Sequence, residues 1–280
     1  MNALPLLLLF SQQAPVDLDA EALIRRVVNA QRLAEQRLTS YTYDQRVVET
    51  KYDKRGRIKD LERRLFYALS GENGEEGTRE LIEVNDRPAT ADEKREAAEK
   101  DAKDRQKRIE DRAARQAERT PKVTGEEDDP LVGTRRLSVI LDRYDYEVTG
   151  EELLDGHAYY SIRFRAKPNV PAKTLAEKAL SSLAGTALVS ASTFQIRSID
   201  AHLIRPVKLV GGIAASVHDA LITFDAATAS GRWLPCRVEL RLKGKTAVFF
   251  RLDTAYRFEL SGYRTFEVET DTRPSLQEIQ

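Results

Sequence analysis

Cysteine is nearly absent. Cys236 is the only one in 280 residues, so no disulfide forms within the chain. The three histidines, His157, His202 and His218, fall at no metal-ligand spacing. Asp200 and His202 share a strand face, but no third ligand stands with them, so neither a metal nor a cofactor is expected. Net charge is absent too, with 45 Lys+Arg against 45 Asp+Glu. A nucleic-acid binder carries a basic excess or a basic stripe, and this balance excludes that partner. No run of residues is long and apolar enough to cross a bilayer as a helix. There is no G-x-S-x-G elbow and no H-E-x-x-H. Gly244-Lys245-Thr246 ends like a phosphate loop, but the first glycine of that motif is replaced by Glu239. Carboxylates are plentiful, yet none falls in an apolar setting that would tune an acid or base. No catalytic residue is predicted, and the chain is read as no enzyme.

What is present is alternation. Trp233 to Leu242 places Leu234, Cys236, Val238, Leu240 and Leu242 between Pro235, Arg237, Glu239 and Arg241. Successive side chains of a strand point to opposite faces, so this strand has one apolar and one charged face. Cys236 on the apolar face reads as a small buried hydrophobe. Lys243-Gly244-Lys245 has a Gly-X hairpin signal, and the strand after it keeps the period with Val248, Phe250, Leu252, Tyr256 and Phe258. Earlier strands are expected over 41–51, 58–69 and 79–85, with a turn at Asp53–Gly56 and Leu65, Tyr67 and Leu69 as the apolar phase of the second. Asp155-Gly156 joins strands 144–154 and 158–166. Between Phe194 and Arg205 the apolar phase slips, which predicts a bulge near Arg197-Ser198. Val217 to Asp225 is a strand with Ala220, Ile222 and Phe224 turned inward.

Helices are expected at four places. Asp17 to Leu38 carries Leu23, Val27, Ala30 and Ala34 on one face. Thr134 to Asp142 is short. Ala172 to Ala184 carries Leu175, Ala179, Leu180 and Leu183, with Gly185 as its C-terminal stop. Asp92 to Arg119 differs in kind. Thr90 and Glu93 make a capping box, and acid-first pairs such as Glu96–Lys100 and Asp101–Arg105 interleave along it. Its apolar residues are mostly Ala with no heptad seam, so it reads as a solvated helix protruding from the domain, or as a docking arm for a protein partner. Thr120 to Pro130 is a hinge.

At the N-terminus, Ala3 to Phe10 has the length of a signal-peptide h-region, and Ala14 can precede a cleavage site. Residues 1–16 are therefore expected to be a signal peptide, with a mature chain starting near Pro15. No cysteine lies there to be lipidated. Residues 17–274 are expected to form a single domain, 90–130 being its charged helical insertion and hinge, and 275–280 a tail.

Three stretches carry a resemblance: Leu183 to Leu203 (LAGTALVSASTFQIRSIDAHL), Gly231-Arg232-Trp233-Leu234-Pro235, and Tyr263 to Thr270 (YRTFEVET). Together with the element order, the chain resembles the LolA/LolB-like superfamily of periplasmic carriers that sort outer-membrane lipoproteins. The resemblance implies an α+β fold: a curved antiparallel half-barrel of about eleven strands, covered by helices, with an apolar cavity for acyl chains. It implies a periplasmic or secreted, non-enzymatic binding protein whose partner is a lipid acyl chain or a lipoprotein. The alternative is a protein-interaction or envelope-stress sensor module on the same fold, using the 92–119 helix. Candidate cavity-lining residues are Ile222, Phe224, Val238, Leu240, Phe250 and Leu252.

Overall fold

The computed structural model describes residues 20–37, 41–69, 77–117, 141–168, 170, 175–209, 215–229, 232–246 and 250–265. The expected signal peptide, the hinge, the tail and most of the expected 134–142 helix lie outside these residues. In chain order the elements are α1 (Ala20–Arg37), β1 (Tyr41–Tyr52), β2 (Ile58–Leu69), β3 (Arg79–Val84), β4 (Arg87–Pro88) and α2 (Ala91–Ala117). A 3-10 turn (Leu141–Arg143) leads into β5 (Tyr144–Leu154) and β6 (His157–Ala166). Then come α3 (Leu175–Leu180), β7 (Leu183–Ser190), β8 (Ile196–Leu203), β9 (Val207–Leu209), β10 (Ala215–Ala229), β11 (Arg232–Thr246) and β12 (Phe250–Thr265).

All strands join one antiparallel sheet in the order β4-β3-β2-β1-β12-β11-β10-β8-β7-β6-β5, with β9 beside β10. Among the described residues the two ends of the path do not pair, so the sheet is open: a curved half-barrel with helices over one face. The turns follow their local chemistry. Gly56 has φ 76°, and the Asp53 carboxylate accepts from the Arg55 and Arg57 amides at 2.8 and 3.0 Å. Asp155 and Gly156 have φ 49° and 76°, as a two-residue hairpin with right-handed strands requires. The expected bulge is present: Leu188 pairs with Ser198 and Val189 with Ile196, which leaves Arg197 out of register.

Four expectations are corrected. Gly244 is not a turn. It lies inside β11, paired with Val217 and Leu252, and a Cβ there would sit 2.1 Å from the Ser216 carbonyl oxygen. Close backbone approach, rather than a reversal, is what demands glycine. Gly185 is likewise a strand residue, not a helix stop. Its missing Cβ makes room for the Asp200 carbonyl and the Phe164 ring, and the helix before it is only α3. In β2 the buried phase is Phe66 and Ala68, while Tyr67 is exposed. In β11 a register shift opposite Asp225 and Ala226 leaves Cys236 without a cross-strand partner. It is half-buried, donates to the Asp225 carbonyl at 3.4 Å, and the alternation through Val238 does not continue past it to Leu234.

The helices seal two parts of the same face. Leu23 and Val27 of α1 are each 1% exposed and pack on Ile162, Val189 and Ile196 of β6, β7 and β8. Tyr144 ties α3 to β5 through a 2.8 Å bond to the Leu180 carbonyl. At the other end α2 lies along β3, with Ala97 against Phe66, Leu81 and Val84. The capping box forms: Glu93 accepts from the Thr90 amide at 2.9 Å, and the Thr90 hydroxyl from the Glu93 amide at 3.3 Å. Asp101 turns to the sheet and takes a bidentate pair from Arg79, both bonds 2.7 Å, and Lys94 reaches Glu80 at 2.8 Å.

Candidate functional site

Cross-strand partners trace rows over the helix-bearing face. One row runs Val148, Ile162, Ala187, Ile199, Phe224, Val238, Phe258, Val47, Arg64, Val84. The next runs Tyr146, Phe164, Gly185, Ala201, Ile222, Leu240, Tyr256, Glu49, Glu62. Both are apolar from β5 through β12. Both change where β1 and β2 begin, at Arg64 in the first and at Glu49 and Glu62 in the second. The face therefore has an apolar part and a charged part that meet along β12.

The candidate lining residues divide accordingly. Phe224 belongs to the cluster around Leu23 and Val27, and Ile222 to the one around Tyr144, Ala166 and Leu183, so helices already cover both. Val238 and Leu240 on β11 and Leu252 on β12 are half-buried and, among the described residues, belong to none of the three helix-packed clusters. They form an apolar strip with Tyr256 and Phe258, whose rings stack 6.5 Å apart. Phe250 pairs with Thr246 through the backbone; its side chain lies outside the described residues.

Beside the strip is a groove of about 220 Å³, lined by Val47, Phe66, Tyr256 and Phe258 and by Glu49, Glu62, Arg64, Arg79 and Lys100. Glu49 and Glu62 are direct cross-strand neighbours. Like charges so placed repel, and the surrounding cations offset this. Arg64 holds Glu62 by two bonds of 2.8 and 2.5 Å. That pairing pulls the Glu62 carboxyl below the usual carboxylate range. Lys51 lies 3.4 Å from Glu49 and 3.2 Å from Asp60. The Tyr256 hydroxyl donates to Glu49 at 3.4 Å, and burial, then the Glu49 charge, pushes that phenol up. Arg79 lies over the Phe66 ring, 4.4 Å from its centroid. Lys100 comes from α2, on the side opposite the sheet.

A second groove of about 700 Å³ runs between α1 and β5, lined in part by Ile24, Val28, Leu141, Tyr144 and Tyr146. It contains none of the candidate lining residues. Among the described residues no three His, Cys, Asp or Glu side chains stand where they could hold a metal ion, and His157, His202 and His218 are all exposed. Among them, too, no helix is long and apolar enough to cross a membrane.

The charged half of the site escaped sequence reasoning because it depends on the phase of β2. With Leu65 and Tyr67 placed inward, Glu62, Arg64 and Phe66 face away. The available signal was Glu62 and Arg64 two apart, an ion pair on one strand face.

No family model matches the chain, and no curated protein matches it. Among solved structures it is similar to a DUF1329 family protein from Desulfovibrio piger, at 12% identity and TM-score 0.36, covering 88% of this chain and 92% of that one. It is similar to a LolA superfamily protein from Nitrosomonas europaea at 10% identity and TM-score 0.31, covering 90% and 95%. The MucA/MucB complex of Pseudomonas aeruginosa matches at 9% identity and TM-score 0.23, covering 90% and 100%. The fold assigned above rests on strand order and register.

Proposed function

We propose that this chain is an exported, non-enzymatic binding protein that holds a lipid or lipoprotein acyl group on the inner face of its half-barrel. One observation carries the reading: Val238, Leu240 and Leu252 face the helix-bearing side, half-buried, while helices pack the sheet on both flanks. An alkyl chain laid along them would be removed from water, at about 0.8 kcal/mol per buried methylene. Native mass spectrometry of the purified chain, followed by solvent extraction, tests this. A bound lipid, or uptake of a fluorescent fatty acid by the stripped protein, is expected. A ligand-free protein that takes up no fatty acid refutes it.

The second reading is a protein-interaction module that uses the 92–119 helix. It is favoured by the way α2 is fixed to β3 while Arg95, Glu96 and Glu99 stay exposed. Deleting the helix would also uncover Phe66 and Leu81. Reversing those three charges is the cleaner test. Loss of a co-purifying partner with fatty-acid uptake intact supports this module.

A further inference from the structure

The groove beside the strip has a chemistry of its own. Its charges are mixed: Glu49 and Glu62 on the sheet, Arg64 and Arg79 beside them, Lys100 from the helix opposite. Two side-by-side carboxylates disfavour a purely anionic ligand. Three basic groups disfavour a purely cationic one. Stacked aromatic rings next to a carboxylate suit an ammonium group, and a lysine suits a phosphate, while Arg64 and Arg79 are already held by Glu62 and Asp101. Tyr256 and Phe258, which line the groove, are the direct cross-strand partners of Leu240 and Val238 in the strip. A head in the groove and a tail on the strip therefore belong to one continuous surface.

Resting on the acyl-binding reading above, we propose that the groove is a head-group slot for a zwitterionic phospholipid. The ammonium sits at Glu49 beside Tyr256 and Phe258, sharing that carboxylate with Lys51, and the phosphate faces Lys100. The acyl chains lead away over Leu240 and Val238.

Isothermal titration of the full chain with dihexanoyl phosphatidylethanolamine and dihexanoyl phosphatidylglycerol separates head from tail, because the chains are the same. The ethanolamine lipid is expected to bind about tenfold more tightly, the size of one charged hydrogen bond. Glu49→Gln should erase that preference, while Lys100→Ala, on an exposed helix position, should weaken both lipids, because they share the phosphate. Leu240→Asp should weaken both lipids alike. Equal affinities, a preference that survives Glu49→Gln, or no loss of affinity for either lipid on Lys100→Ala overturn the slot and leave the acyl strip standing. Free O-phosphoethanolamine binding as tightly as the lipid overturns the lipid assignment. Failure of both lipids to bind overturns the slot and the acyl reading together.

Discussion

Glu93 joins the cap of α2 to the end of the β3–β4 hairpin. It accepts from the Arg87 guanidinium at 2.9 and 2.6 Å and from the Thr90 amide at 2.9 Å. The Arg87 bonds, then the amide, hold its carboxyl down to about 2. A depressed carboxylate stabilises the folded state above its ordinary value near 4.5, and loses that contribution as pH falls toward about 2. A carboxyl-carbon NMR titration should therefore place Glu93 well below the ordinary value near 4.5, and Arg87→Ala should move it back toward that value. The strand glycines make a second residue-scale prediction. Gly185→Ala and Gly244→Ala each force a methyl group to within about 2 Å of a carbonyl oxygen. Each should cost about 2–3 kcal/mol in urea unfolding, as overpacking does. At Gly150 a Cβ meets nothing within 4 Å, so Gly150→Ala is the neutral control. Those glycines show where sequence stops at this scale. A glycine states that a side chain is unwelcome, and only the neighbouring strand shows whether a turn or a close approach is the cause.

At the scale of elements, α1 and α2 hold the sheet by different means. α1 uses depth: Leu23 and Val27 have almost no exposure, and Leu23→Ala should destabilise the chain by about 2–5 kcal/mol in denaturant unfolding. α2 has no large apolar stripe and uses small residues and charge. Ala97 allows a close approach to Phe66, and the Arg79–Asp101 pair closes over that ring. Arg79→Ala leaves the Asp101 carboxylate, 18% exposed, short of its bidentate donors, and should cost about 1–3 kcal/mol. Helix existence was legible because the 3.6-residue period of α1 and the capping box of α2 are local. So were most strand limits and the bulge at Arg197. The phase of β2 was not. Leu65, Tyr67 and Leu69 are as apolar as Phe66 and Ala68, and the choice falls to α2, which buries one set from a distant part of the chain. The same limit hid the charged groove, whose Glu62 and Arg64 share the phase of Phe66.

At the scale of the whole molecule, the sheet stays open and its helix-bearing face is graded. Apolar rows from β5 to β12 meet a charged patch on β1 and β2, and the helix-packed clusters leave the seam between them aside. Under the acyl-binding reading proposed above, this graded face is where an amphiphile lies. The most direct test of that claim is a fluorescent fatty-acid titration of the full chain, with Val238→Asp and Leu240→Asp alongside the unaltered protein. Burying a side chain of this size contributes about 1.5–3 kcal/mol, so each variant should lose about tenfold or more in affinity while keeping its circular dichroism spectrum. Saturable binding by the unaltered chain that both variants weaken is the predicted result. Binding that neither variant changes, or no saturable binding at all, would contradict it.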